Sequence, residues 1–185
     1  MELPYNGRAT IIEDFDHTEI IIPAKKNWFV ILFFSIWICG WAFGEFSGFN
    51  DGFGPNGNAG SLFMIVWLSG WTVGGFFALR TLWWMLLGKE IITVGQGAII
   101  IDKKGALFYK SKTYDLREAK EFRAQEDPQS SYGTFGGRQT NVFNLDKSGT
   151  IRFDYGMQTV KFGEGLDEAE ANYILQKLRN KKLIN

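Results

Sequence analysis

The hydrophobic pattern divides this chain into two long apolar runs and, around them, short segments in which apolar and polar residues alternate. The runs cover residues 28–44 and 61–79 and contain no Asp, Glu, Lys, Arg or His. As helices rising about 1.5 Å per residue, each comes near the roughly 30 Å of a hydrocarbon core, the first at the lower limit. Each holds nine Leu, Ile, Val or Phe residues. In each run these nine favour insertion by about 3–5 kcal/mol before glycines and polar residues offset it. A helix on the surface of a soluble protein keeps one polar face, and neither run has one. The pattern predicts a transmembrane hairpin, with helices over about 28–46 and 61–88 and an outer loop over 47–60.

Residues 9–12 and 18–22 are β-branched runs separated by the polar stretch 13–17 and ended by Pro23, which predicts a β-hairpin or two short strands. Two strands alone are marginal in water, so this segment is expected to dock, and the sheet beyond the apolar runs is the surface it can join. From Lys89 onward the spacing predicts seven strands, over 90–94, 98–102, 107–116, 119–124, 141–145, 150–154 and 158–162. Turns fall at Gly95-Gln96-Gly97, Lys103-Lys104-Gly105, residues 146–149 and Tyr155-Gly156. One helix follows. Asp167 and Glu170 have the spacing of an N-cap and its partner, and Ala171, Ile174, Leu175 and Leu178 make an i, i+3, i+4, i+7 stripe. Lys177, Arg179, Lys181 and Lys182 suit the negative end of its dipole. The expected fold is an α+β membrane protein with an N-terminal β segment (1–27), a transmembrane hairpin (28–88) and a seven-stranded β-barrel or sandwich capped by a helix (89–185).

Charge places these parts. Lys25 and Lys26 precede the first run, Arg80 and Lys89 follow the second, and the loop between carries Glu45 and Asp51 but no Lys or Arg. The positive-inside rule then predicts both termini in the cytoplasm, in a multi-pass protein of the cytoplasmic (inner) membrane. All seven tryptophans lie in or beside the runs, and Trp83 and Trp84, with Lys25, Lys26, Arg80 and Lys89, are the expected interface anchors. Gly40 and Gly44 in the first run, and Gly70, Gly74 and Ala78 in the second, recur every four residues. Such a stripe lets two helix backbones approach, so these residues are the expected packing face. The lipid bilayer is therefore the first expected partner, with a protein partner or a second copy of the chain as the next.

Composition removes most catalytic classes. From Lys89 there are 16 Lys and Arg against 13 Asp and Glu, too slight an excess for a nucleic-acid footprint. Cys39, the one cysteine, lies in the first run, so neither a disulfide framework nor a cysteine metal site is expected. His17, the one histidine, reads as a solvated turn residue, and Glu45 as an interfacial acid. The Asn and Asp residues of 49–60 lack EF-hand spacing. The Gly-rich segment 132–138 lacks the Lys-Ser/Thr of a phosphate loop and reads as a hairpin loop. No cofactor, metal or enzymatic activity is expected.

The segment Tyr114-Asp115-Leu116-Arg117-Glu118-Ala119-Lys120-Glu121-Phe122-Arg123, and the ending Val160-Lys161-Phe162-Gly163-Glu164-Gly165-Leu166-Asp167-Glu168-Ala169-Glu170, resemble bacterial pleckstrin-homology-like domains. Members of that group often follow a two-helix membrane hairpin, so the resemblance covers most of the chain. It implies a membrane-tethered cytoplasmic module that binds proteins or lipids or assembles with itself. Phosphoinositide-binding members use basic residues around the first two strands; here Gly95-Gln96-Gly97 has no cation, and only Lys103 and Lys104 stand at the next turn.

Overall fold

A computed structural model describes residues 7–53, 62–125 and 149–184. In chain order its elements are β1 (Thr10–Glu13), β2 (His17–Pro23), α1 (Trp28–Phe53), α2 (Leu62–Leu87), β3 (Lys89–Gly95), β4 (Ala98–Lys104), β5 (Lys112–Asp115), β6 (Ala119–Ala124), β7 (Ile151–Tyr155), β8 (Gln158–Phe162) and α3 (Glu168–Asn180). They form two compact units. One joins the residues up to Lys25 to those from Leu87 onward, and the other is 26–86.

Strict alternation builds the first unit. Thr18, Ile20 and Ile22 of β2, Glu90, Ile92 and Val94 of β3, and Ile99, Ile101 and Lys103 of β4 all point inward, so these strands present one face to the core. The five strands β1 to β5 pair antiparallel in chain order, and β6, β7 and β8 make a second sheet. Phe122, Phe153 and Phe162 from the second sheet meet the isoleucines of the first in one core. Each fully buried side chain of this size contributes about 1.5–3 kcal/mol. Helix α3 adds Ala171, Ile174, Leu175 and Leu178 to the same core, along the stripe its spacing predicts.

Three expectations change. The β part is not a closed barrel of seven strands: the described strands form separate sheets of five and three, and two strands of the larger come from the N-terminal segment. That segment is therefore no separate region, because β2 pairs with β3 along its whole length, from His17↔Gly95 to Pro23↔Lys89. The expected strand 107–116 shrinks to β5, since Gly105 (φ +87°) and Phe108 (φ +67°) take left-handed backbone that cannot continue a ladder. The expected strand 141–145 and the segment 132–138 lie outside the described residues.

Asp167 caps α3 by accepting the Glu170 N–H at 2.8 Å, while Glu170 Oε1 accepts the Ala9 N–H at 2.7 Å. Replacing Asp167 by Ala is expected to cost about 1 kcal/mol, measured by urea unfolding of the full chain in detergent micelles.

Candidate functional site

The apolar unit has the clearest functional chemistry. Helices α1 and α2 each run for 26 residues and are long and apolar enough to cross a membrane. Only 6% and 17% of their most apolar windows are buried, so they are not core helices of the kind a soluble protein hides. The first helix continues past 46 through Asn50 and Asp51 to Phe53, so the described part of the expected outer loop is helical.

The two helices meet around Trp41. Its ring lies over Gly75, where an added Cβ would stand 2.0 Å from Trp41 Cε2, and its Nε1 donates to the Trp71 carbonyl at 3.0 Å. Gly75 and Ala78 are the buried residues of α2. Farther along, Gly48 faces Leu68, and the Thr72 hydroxyl donates to a Glu45 carboxylate oxygen as well as to the Leu68 carbonyl at 2.8 Å. Glu45 is thus tied into the hairpin rather than standing as a simple interfacial acid. Thr72→Val is expected to weaken hairpin closure by about 0.6 kcal/mol, and at most about 1.7. Thermal unfolding in micelles followed by tryptophan fluorescence would measure this.

The expected glycine stripe is displaced by one residue. At Gly40, Gly70 and Gly74 a Cβ would meet nothing within 4 Å, and at Gly44 only Trp71 Nε1 at 3.9 Å. Of the five residues in the predicted stripe, Ala78 alone is buried; Gly75 forms the close approach. Gly70 and Gly74 instead floor an open groove of about 430 Å³ walled by Trp37, Phe63, Trp67 and Trp71. Of the expected anchors, Trp83 is exposed, while Arg80 and Trp84 are half-buried on α2.

The other place of interest is the end of the five-stranded sheet where the chain departs for α1 and returns from α2. Pro23 pairs with Lys89, and the Ala24 N–H donates to the Gly88 carbonyl at 2.9 Å, so departure and return are adjacent. Arg8 fastens this end, donating to the carbonyls of Gly165 at 3.0 Å and Pro23 at 3.1 Å. Lys25, Lys26 and Lys89 are exposed.

Beneath this end lies a buried ionic cluster that sequence reading missed. Glu90 and Lys103 are cross-strand partners, each with a side chain 2% exposed. Lys103 Nζ is 3.9 Å from Glu90 Oε1 and 3.3 Å from Glu164 Oε2. Glu90 Oε2 accepts the N–H groups of Gly163 and Glu164, both at 2.9 Å, and so ties the larger sheet to the chain following β8. Burial pushes the Glu90 carboxyl above the ordinary glutamate range, with Lys103 and the two N–H groups opposing it. The signal was present in the alternation: Glu90 stands two before Ile92, and Lys103 two after Ile101. It was hidden because Ile91 and Ile100 make both strands apolar on both faces.

His17 begins β2 and is half-buried, not a solvated turn residue. Among the described residues, no three His, Cys, Asp or Glu gather as metal ligands. No protein-family model, curated protein or solved structure matches the chain.

Proposed function

We propose that the chain is a non-enzymatic, membrane-anchored module whose β unit is held at the cytoplasmic face, where it mediates protein binding or self-assembly. The observation that carries this is the hydrogen-bonded adjacency of Ala24 and Gly88. Two apolar helices inserted between paired strands must leave and return on the same side of a bilayer, because the β2–β3 ladder cannot be split by one. The cations Lys25, Lys26 and Lys89 beside that point favour the cytoplasmic side. The pleckstrin-homology-like resemblance belongs to this reading as its source for the binding role. Crosslinking in native membranes followed by mass analysis tests it. A discrete adduct with a second copy or with one reproducible protein is the expected result, and monomer alone would contradict it.

A second reading, a subunit of a transport or envelope-stress membrane assembly, is favoured by the open groove over Gly70 and Gly74. A Cβ at Gly74 meets nothing within 4 Å, so Gly74→Leu starts its side chain in the open space of that groove. On this reading the substitution removes a large complex from native gels while the hairpin stays closed; an unchanged complex contradicts it.

A further inference from the structure

The loop between β4 and β5 places apolar side chains at the surface. It opens at Gly105, where an added Cβ would lie 3.2 Å from both Gly88 Cα and the Leu87 carbonyl oxygen. The loop therefore starts against the peptide by which the chain returns from α2. Leu107 is 41% exposed and Phe108 is 85% exposed. Phe108 also holds φ +67°, a left-handed backbone unusual for a bulky residue. An aromatic ring held out on such a backbone is disfavoured in water and favoured at the boundary between headgroups and acyl chains.

Cations stand on this loop and on the strand ends that flank it. Lys104 and Lys89 are direct cross-strand partners, both exposed, and like charges placed opposite each other repel. Lys110 is exposed on the same loop, and Lys25 stands two residues after Pro23, the other partner of Lys89. Among the described residues, Lys25, Lys89, Lys104 and Lys110 have no ion-pair partner. An anionic surface relieves their repulsion, and the phosphates of acidic lipids supply one.

We propose that the 105–111 loop is a second, shallow anchor: Leu107 and Phe108 enter the interface of the leaflet that the apolar helices cross, and Lys89, Lys104 and Lys110 bind the headgroups of anionic phospholipids there. The inference rests on the reading that the helices span that membrane. It gives the β unit a contact with the bilayer of its own.

The test uses the full chain with Cys39→Ser, reconstituted in nanodiscs of phosphatidylcholine with or without phosphatidylglycerol. An environment-sensitive fluorophore on Leu107→Cys reports the loop, one on Phe33→Cys the first helix, and one on Met157→Cys the exposed β7–β8 turn. Lipids with nitroxides at headgroup or deep-chain positions serve as quenchers. The expected result is strong quenching at 107 by headgroup nitroxides in the acidic discs. It falls several-fold in phosphatidylcholine alone, with Phe108→Ser, or with Lys104→Gln and Lys110→Gln together, and is absent at 157. Quenching at 33 but not at 107 overturns the inference and leaves the spanning reading intact. An unquenched label at 33 overturns the spanning reading, and the inference with it. Equal quenching at 107 in both disc types overturns the role of the lysines.

Discussion

Replacing Lys103 by methionine is expected to destabilise the β unit by about 3–5 kcal/mol near neutral pH, because it leaves the Glu90 carboxylate buried without its cation. Few exposed substitutions in this chain approach that size. Glu90 cannot turn to water, since its Oε2 is held by the N–H groups of Gly163 and Glu164. The penalty also has a pH signature. A carboxyl whose folded pKa is raised contributes stability that is complete below its unfolded value, near 4.5, and is lost as pH rises through the folded value. Lys103 is the strongest influence opposing that rise, so its removal raises Glu90 further. The difference between the two proteins should therefore be larger at neutral pH than at a pH below the unfolded value near 4.5, where the carboxyl is protonated in both states. Glu13, paired with Lys177 and Lys181, and Asp154, paired with Arg123, are shifted downward and act in the opposite sense. They are present in both proteins and cancel in the comparison. Urea unfolding in micelles at the two pH values checks this, and a penalty that is constant or smaller at the higher pH would contradict it.

Gly75→Ala is expected to open the hairpin even though it adds one methyl group. The new Cβ would lie 2.0 Å from Trp41 Cε2 and 2.5 Å from its Nε1, so the ring must move and its bond to the Trp71 carbonyl must stretch or break. Overpacking of this kind costs about 1–3 kcal/mol, and the lost hydrogen bond adds to it. The adjacent Gly74→Ala provides the control, because a Cβ there meets nothing within 4 Å. Thermal unfolding in micelles, followed through tryptophan fluorescence, should show a clear fall for Gly75→Ala and almost none for Gly74→Ala. Equal effects would mean that the helices pack by the predicted stripe after all.

These two sites show how far the pattern of residues could be read. Both apolar runs, the strands at 119–124 and 158–162, and the stripe and cap of α3 follow from local periodicity, and the structure places them where that periodicity puts them. The packing face of the hairpin was less legible. Gly70, Gly74 and Ala78 repeat every four residues, but Gly75 adjoins Gly74, and the residue that meets Trp41 depends on helix rotation, which spacing within one helix does not determine. The same limit applies to the sheet. Pairing of β2 with β3 joins residues on either side of both apolar runs, a contact to which no local pattern refers. Leu107, Phe108 and Tyr109 look like a strand by composition; the left-handed residues 105 and 108 turn them into a loop. Residues 47–53 read as loop for their Gly, Asn and Asp content, yet they extend α1.

The central claim is that the hairpin crosses the membrane once each way and holds the β unit at the cytoplasmic face. Single cysteines at Asn56, between the helices in sequence, and at Met157, on the exposed β7–β8 turn, test it most directly in a Cys39→Ser background. In intact cells a membrane-impermeant maleimide should label the cysteine at 56, and should reach the one at 157 only after the membrane is permeabilised. Labelling at 157 in intact cells, with 56 protected until permeabilisation, would contradict the account.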